Sequence, residues 1–220
     1  MDLEFILKFL KDIARHNDRE WFEKNKGRYL EAKQSFEGVV GGVLKELVKF
    51  DDGIAGLDPK KLPFRIYRDV RFSKDKRPYK TNMGAGFSPN GKLVQEPGYY
   101  LHIEPGNKSF AAGGIYMPDA GNLAKIRQEI DYNSKDLKKI FQSKKFRKYF
   151  TDFDEFDKLK TAPKGYPKDH ADIEWLKLKS FIVSIPFTDK QVTDKKFISM
   201  VANSCREIKP LNDFIREAIA

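Results

Sequence analysis

The N-terminal part of the chain carries apolar side chains at the spacing of helices. In residues 3–14 the apolar positions recur every three or four residues, so a helix would place them on one face. Asn17, followed by Glu20, has the form of a capping box and predicts the start of a second helix. A longer helical stretch covers residues 28–50, and the glycines and the proline that follow predict its end.

The middle of the chain has a different pattern, because apolar and polar side chains alternate there. This period of two is typical of strands, and it predicts strands at residues 64–72 and 99–103. Residues 108–117 are a third candidate strand, and residues 82–88, closed by the turn at residues 88–91, are a fourth. The first of these segments also matches a helical spacing, but its β-rich composition and the nearby prolines favour a strand. Short turns between consecutive strands, such as residues 105–107, predict an antiparallel sheet.

The C-terminal part returns to helical periodicity. Helical segments are predicted at residues 119–130, at residues 134–150 with Ser134 as the cap, and at residues 173–178. Residues 180–187 are predicted to form a late strand of the central sheet, followed by two final helices that are interrupted near Pro210. We therefore expect one α+β domain over residues 1–220, with N- and C-terminal helices flanking a mainly antiparallel central sheet.

The composition predicts a globular protein in a reducing compartment. Hydrophobic residues make up 40% of the 220 residues, so a core can form without a disulfide or a metal. Cys205 is the only cysteine, which excludes an intramolecular disulfide. The N-terminus has acidic residues where a signal peptide has basic ones, and no apolar run approaches the ~20 residues of a membrane span. We therefore expect a cytoplasmic protein with no membrane partner.

Positive charge is concentrated in one central segment. The chain has 42 basic and 32 acidic residues, which gives a net charge of +10. Between Lys60 and Lys80 nine residues are basic and only two are acidic. A cationic segment of this kind attracts anionic partners to one surface of a protein.

Arg68 is the most unusual residue of this segment. On the predicted strand it lies on the face that carries the apolar side chains, and a guanidinium there needs a partner because it does not lose its charge. A bound carboxylate or phosphate would supply one. The predicted anion-binding residues are Arg65, Arg68, Arg71 and Lys76, with Asp69 orienting an arginine and Tyr79 packing on the ligand. The alternative is a structural network in which Asp69 and Asp75 pair with the arginines.

A second candidate for chemistry lies on the strand after Pro97. Tyr100, His102 and Glu104 fall on one face of this strand at a period of two. A histidine beside a carboxylate can act as a general base, so His102 and Glu104 are the predicted catalytic residues. Two such side chains are too few to predict a metal site, and no metal is expected. The alternative is a polar outer face of a half-buried strand.

The central segment also resembles a known family. The positions that carry the resemblance are Arg65, Arg68, Asp69, Arg71, Phe72, Asp75, Lys76 and Tyr79. They match the signature of an uncharacterised, mostly bacterial family catalogued as domain of unknown function 2461, and residues 97–104 and 113–118 are similar to that family as well. Its members are about this length, so the resemblance implies a match over the whole chain. It implies no activity, because the family has none to carry over.

Three functions are compatible with these features. The first is a binding pocket, with or without catalysis, for a small molecule that bears a phosphate or a carboxylate. The second is a nucleic-acid-binding module in which bases stack on aromatic residues, although no helix-turn-helix, zinc-finger or ribonucleoprotein signature supports it. The third is a non-enzymatic protein-interaction domain with a structural Arg/Asp network. No Walker-type phosphate loop, dinucleotide fingerprint or nucleophile elbow is present. The sequence therefore predicts no particular cofactor.

Overall fold

Helices from both ends of the chain flank a four-stranded sheet in the computed structural model, which describes residues 1–92, 95–155 and 157–220. The helices are α1 (Leu3–Arg15), α2 (Arg19–Lys24), α3 (Lys26–Leu47), α4 (Ala120–Gln142), α5 (Lys144–Arg147), α6 (Ile173–Leu176), α7 (Asp189–Val192) and α8 (Phe197–Ile219). The strands are β1 (Met83–Phe87), β2 (Gly98–Ile103), β3 (Ser109–Ile115) and β4 (Phe181–Phe187). The predicted α+β class, with its antiparallel sheet and flanking terminal helices, is confirmed.

The strands follow one another in the order β1-β2-β3-β4, and all neighbours are antiparallel. A row of paired residues crosses the sheet, in which Ala85 lies opposite Leu101, Leu101 opposite Ala111, and Ala111 opposite Ile185. Because side chains of directly paired residues point to the same face, this row defines the inner face of the sheet. Residues one position away along each strand point to the outer face.

The inner face packs against α8. Gly113 lies on this face, and a Cβ there would come within 2.5 Å of the Ile208 side chain of α8. Residue 113 must therefore be small for α8 to rest on the sheet. Helix α3 packs against α8 and α1 packs against α3, so both ends of the chain contribute to the same core.

The prediction of a strand at residues 64–72, just before β1, is wrong. A strand needs a neighbouring backbone along several residues, and among the described residues this segment has only the isolated bridge of Tyr67 with Tyr79, next to that of Pro63 with Ala85. Its alternating apolar side chains do not form a buried face, since Phe72 is 96% exposed. The alternation in the sequence therefore had no sheet neighbour to support it.

This segment instead forms a hairpin-like loop, which we call the arginine loop (residues 64–80). Two backbone hydrogen bonds close its neck, from Arg68 N to Pro78 O at 2.9 Å and from Lys80 N to Ile66 O at 2.8 Å. Ile66 is buried beneath the neck, while most residues beyond it are exposed. The loop is therefore held at its base and bears its charges at the surface.

Two helix boundaries differ from the predictions. Asp18, not Asn17, caps α2, because its carboxylate accepts a hydrogen bond from a first-turn amide. Helix α8 continues through Pro210, whereas α4 has a kink at Asn133, immediately before the predicted boundary at Ser134. The buried face of α8 packs on the sheet and three helices, which offsets the hydrogen bond that proline does not donate. Within the described parts of the chain, no helix combines the length and apolar character needed to cross a membrane.

Candidate functional site

The outer face of the sheet holds a cavity of about 630 Å³. Much of its floor consists of small residues of the strands: Gly84, Gly98, Ala112, Gly114 and Ser184. Side chains from other segments contribute to its walls: Phe64, Lys80, Lys92, Tyr116 and Asp154. Ligand pockets in proteins commonly have volumes in this range, so the cavity can hold a small organic molecule.

Gly84 makes room for the aromatic ring of Tyr100. A Cβ at position 84 would lie 2.4 Å from the Tyr100 hydroxyl oxygen and 2.9 Å from Cζ. The phenol ring therefore lies directly over the backbone of β1. Phe64 and Phe110 flank this ring at centroid distances of 6.1 and 5.6 Å, so its position is fixed by neighbours on more than one side.

The Tyr100 hydroxyl begins a hydrogen-bond chain that leads through His102 to Glu104. The hydroxyl oxygen lies 3.0 Å from Nδ1 of His102, and Nε2 of His102 lies 3.0 Å from Oε2 of Glu104. A carboxylate only accepts hydrogen bonds, so Nε2 of a neutral His102 carries the proton and donates it to Glu104. Nδ1 then accepts from the Tyr100 hydroxyl. This is the arrangement of a general base that activates a hydroxyl group.

Neighbouring side chains hold the imidazole in this orientation. The His102 ring stacks on Phe110, with centroids 4.6 Å apart and an interplanar angle of 16°. Glu104 Oε1 accepts a hydrogen bond from Thr81 Oγ1 at 3.4 Å, and Lys108 Nζ lies 3.8 Å from the same oxygen. Both the base and the carboxylate behind it are therefore positioned before any ligand arrives.

Burial shifts the pKa of Tyr100 and of His102, the first two groups of this hydrogen-bond chain. It lowers the pKa of His102 below 6.5, despite the opposing hydrogen bond and charge of Glu104. Burial, together with the charge of Glu104, raises the pKa of Tyr100 to about 12. At pH 7 the phenol therefore retains its proton and the imidazole is neutral, which allows a proton to move from one to the other.

Two lysines and a phenylalanine form a cationic end of the cavity. The Phe64 ring centroid lies 5.7 Å from Lys80 Nζ and 5.9 Å from Lys92 Nζ. Among the described residues, no carboxylate lies within ion-pair distance of either ammonium group. Burial lowers the pKa of Lys80, and the nearby charge of Arg65 lowers it further. This end of the cavity therefore offers positive charge that the described part of the protein leaves unpaired.

Asp154 lies on the β4 side of the cavity. Its N–H donates to Ile182 O at 2.8 Å. Burial raises the pKa of Asp154, although the nearby polar groups of Ser184 oppose this shift. The two ends of the cavity therefore differ in charge. In the described ranges, no three His, Cys, Asp or Glu side chains converge as a metal site would require.

Arg68, the centre of the predicted anion site, points into the neck of the arginine loop. Its Nη1 donates to Arg77 O at 3.0 Å and lies 2.8 Å from Asp75 Oδ2, and Nη2 lies 3.5 Å from Ser73 Oγ. The Arg68 guanidinium is therefore already bonded to oxygens of the loop itself. Arg68 does not line the cavity.

Three further residues of the predicted anion site also have partners within the loop. Arg71 and Asp69 form a bidentate pair, with Nε–Oδ1 and Nη2–Oδ2 distances of 3.0 and 2.7 Å. This pair lowers the pKa of Asp69. Lys76 Nζ donates to Val70 O at 3.0 Å. These groups lie outside the cavity lining.

Tyr79 and Arg65 lie at the base of the arginine loop. Tyr79 is buried, and its ring stacks on Phe22 at 4.0 Å. The Asn17 side chain bonds both the N–H and the C=O of Tyr79 at 3.0 Å, which anchors this side of the neck. Arg65 is close enough to the cavity to lower the pKa of Lys80. The structure thus separates Tyr79 from the surface, while Arg65 acts electrostatically on a lysine of the cavity wall.

The structure brings together the two predicted catalytic residues, His102 and Glu104, which lie behind the cavity. Three residues of the cavity wall, Lys80, Lys92 and Asp154, were not among the predicted site residues. A signal for the floor was present, because small residues form short runs in β1 (residues 84–86) and β3 (residues 111–114). No local pattern connects Lys92 or Asp154 to the sheet, since both come from segments between the regular elements.

We expect Arg68→Gln to loosen the arginine loop without unfolding the protein. Charge-assisted hydrogen bonds from Arg68 close the neck, so cleavage by chymotrypsin after the exposed Phe72 should become roughly tenfold faster. The melting temperature should stay within about 2 °C of wild type, because the core is untouched. Arg65→Gln is the control, and its cleavage rate should match wild type. Equal cleavage of both variants would contradict the role of Arg68 as the closure of the loop.

Comparison with known proteins identifies the family of the chain. A family model described as "Conserved hypothetical protein (DUF2461)" matches residues 5–214. No curated protein and no solved structure matches the chain. The family match covers the arginine loop and all four strands that form the floor of the cavity. The chain therefore belongs to the DUF2461 family of conserved hypothetical proteins.

Proposed function

We propose that the protein binds a small anionic molecule with a flat apolar body in the cavity, and that Tyr100 exchanges a proton with it. The observation that supports this most strongly is the hydrogen-bond chain from Tyr100 through His102 to Glu104. It starts at the cavity and leads away from it. Burying a histidine and a carboxylate costs free energy, and here that cost positions a base behind a hydroxyl that faces the ligand.

The walls of the cavity define the chemistry of the ligand. Lys80 and Lys92 favour a carboxylate or phosphate, because their ammonium groups have no acidic partner among the described residues. Phe64 and Tyr100 offer aromatic surface on which a flat apolar group can stack. Asp154 favours a hydrogen-bond donor at the other end. A planar organic acid that also carries a hydrogen-bond donor meets all three requirements.

Tyr100 is the group that touches the ligand, and His102 acts through it. When a proton leaves the ligand, the Tyr100 oxygen accepts it while the phenol proton passes to His102. The Glu104 carboxylate stabilises the imidazolium that results. In the reverse direction the same groups return a proton to the ligand. The neutral resting state of Tyr100 and His102 at pH 7 suits the first direction, and the imidazolium formed in it supplies the proton for the second.

This proposal moves the anion site from the middle of the arginine loop to its two ends. Phe64 and Lys80 are the first and last residues of that loop, and both line the cavity. The ion pair of Arg68 with Asp75 supports the structural interpretation of the motif, because the guanidinium already has a partner. We infer that the motif holds two walls of the cavity in place rather than binding the ligand itself.

Nucleic-acid binding at the tip of the arginine loop is a second candidate function. Phe72 is 96% exposed, and the Arg71 guanidinium lies 5.8 Å from its ring centroid, as in a platform for a stacked base. Arg71 and Arg77 are already paired with Asp69 and Asp75, however, so the loop has less unpaired positive charge than its sequence suggests. We therefore favour the cavity.

A thermal-shift screen of aromatic carboxylates, nucleotides, sugar phosphates and other organic acids tests the proposal. For each hit, we expect Lys80→Gln to weaken binding roughly 10- to 100-fold in calorimetry, because a charge-assisted hydrogen bond is lost. In D₂O, NMR should show deuterium entering the ligand with the wild-type protein. Tyr100→Phe and His102→Gln should abolish this exchange, since either change interrupts the chain.

His170→Gln is the matched control. His170 also contacts a carboxylate, Asp131 at 2.9 Å, but it lies outside the cavity lining. This variant should bind and exchange as the wild type does. The proposal is wrong if every hit binds to Lys80→Gln as tightly as to the wild-type protein, or if Tyr100→Phe exchanges deuterium into the ligand as fast as the wild type does.

A further inference from the structure

We infer that Lys80 is a nucleophile that forms an imine with a carbonyl group of the ligand in the cavity. The inference rests on the proposed function, because the cavity must first bind the ligand. It narrows the ligand class to aldehydes and ketones that also carry an acidic group. Three features support it: the lack of an acidic partner for Lys80, the apolar surface beside its amine, and the nearby proton donor.

The surroundings of Lys80 lower the pKa of its ammonium group, so the neutral amine, which is the form that attacks a carbonyl carbon, is more accessible than at an ordinary lysine. The side chain is partly buried in the cavity wall, and Arg65 is near enough to disfavour a second positive charge. Lysines that form imines in enzymes are activated by these same two effects, an apolar pocket and a neighbouring cation.

Lys158 is a lysine of the same protein that forms ion pairs, and its surroundings differ from those of Lys80. Its side chain is 19% exposed, and its Nζ lies 2.6 Å from Glu155 and 2.7 Å from Glu174. Hydrogen bonds to these two carboxylates raise the pKa of Lys158. Lys80 has the opposite environment, so its partial burial does not serve a salt bridge within the described structure.

The backbone of Lys80 is anchored at the neck of the arginine loop. Its N–H donates to Ile66 O at 2.8 Å, and the preceding residue, Tyr79, is held by Asn17 through two hydrogen bonds. The start of the side chain is therefore fixed relative to the sheet. A nucleophile needs this kind of placement, because small errors in position reduce the rate strongly.

Tyr100 can supply and recover the protons that imine formation requires. The Phe64 ring borders both groups, at 5.7 Å from Lys80 Nζ and 6.1 Å from the Tyr100 ring. The neutral amine attacks the carbonyl carbon, a C–N bond forms, and the Tyr100 hydroxyl protonates the oxygen. The carbinolamine then loses its hydroxyl group, and the two protons of the original amine leave with that oxygen as water. The product is a neutral imine, so the phenol and His102 return to their starting forms.

Reductive trapping tests the inference with the full-length protein. The probes are glyoxylate, pyruvate and 4-carboxybenzaldehyde, each incubated with sodium cyanoborohydride at pH 7 and followed by intact mass and peptide mapping. For at least one probe we expect a single adduct at Lys80 that forms at least tenfold faster than at Lys92, because a neutral amine is required. Lys80→Arg should remove this adduct while keeping the positive charge.

Two further variants test whether Lys80 is trapped because its surroundings activate it or only because it is accessible to the probe. Lys158→Arg removes a lysine that is also largely shielded from solvent, and it should leave trapping at Lys80 unchanged. Tyr100→Phe should slow trapping at least tenfold while the protein still binds the non-carbonyl analogues oxalate, lactate and terephthalate in calorimetry. Imine formation would also show a pH profile in which trapping at Lys80 reaches its plateau at lower pH than trapping at surface lysines.

The outcomes distinguish this inference from the proposal on which it rests. Adducts spread over many lysines in proportion to exposure, together with normal binding of the analogues, would overturn the role of Lys80 and leave the binding cavity standing. Failure of the analogues and of every hit in the earlier screen to bind would overturn both. An unchanged trapping rate in Tyr100→Phe would remove the proton donor from the mechanism and overturn imine formation assisted by Tyr100.

Discussion

Asp51→Ala is expected to lower the free energy of unfolding by about 3–5 kcal/mol, because it leaves a largely buried arginine without its partner. Asp51 is 1% exposed. Its oxygens accept from the Tyr99 hydroxyl at 2.8 Å and from the two terminal nitrogens of Arg216 at 3.2 and 3.0 Å. This group joins the end of α3, strand β2 and helix α8. Nε of Arg216 has no hydrogen-bond partner among the described residues, so the guanidinium depends strongly on Asp51.

Urea unfolding followed by circular dichroism measures this loss. Asp213→Ala is the matched control, because Asp213 lies 3.2 Å from the same arginine but its side chain is 42% exposed. Its removal should cost less than about 1 kcal/mol, as for other exposed ion pairs. Similar losses in the two variants would show that the buried position of Asp51 does not matter, which contradicts the role assigned to it.

Gly114→Ala is expected to be comparably damaging, with a loss of about 4 kcal/mol or more, because it forces β3 and β4 apart. A Cβ at this position would lie 1.9 Å from Phe181 O, and the φ angle of +117° disfavours any side chain. The obstructing atom belongs to the backbone of the neighbouring strand and cannot rotate away. Since Gly114 is part of the cavity floor, the change should also alter the cavity.

Gly165→Ala separates the two contributions to that loss. Gly165 also has a positive φ, +94°, but no atom lies within 4 Å of a Cβ placed there. Only the backbone conformation is penalised, so we expect a loss of roughly 1–2 kcal/mol in the same urea titration. If Gly114→Ala were no worse than Gly165→Ala, the close approach of β3 and β4 at this point would be refuted.

Strand β2 could be predicted from the sequence because its alternation reflects two different environments. Tyr99, Leu101 and Ile103 face the helices, while Tyr100 and His102 face outward. A period of two therefore carried real information, and the same register placed His102 beside Glu104. Long amphipathic helices at both ends were predictable for a similar reason, since one face of each is buried.

The role of Arg68 could not be predicted from its place among the alternating apolar residues of the segment 64–72. The pattern showed that the guanidinium needed a partner, but not whether that partner came from the chain or from a ligand. The answer depended on the loop folding back so that Asp75 and the Arg77 carbonyl reach Arg68. Lys92 and Asp154 were missed for the same physical reason, because tertiary structure alone brings them to the sheet.

The small residues on the outer face of the sheet have a thermodynamic consequence for any guest molecule. Much of the hollow above Gly84, Gly98 and Gly114 is bounded by backbone that the ladder hydrogen bonds already immobilise. The backbone of the floor therefore loses little conformational entropy when a ligand binds. The entropic cost of association is confined to the side chains above, chiefly the long flexible stems of Lys80 and Lys92, so affinity should respond more to stiffening those two positions than to any change in the floor.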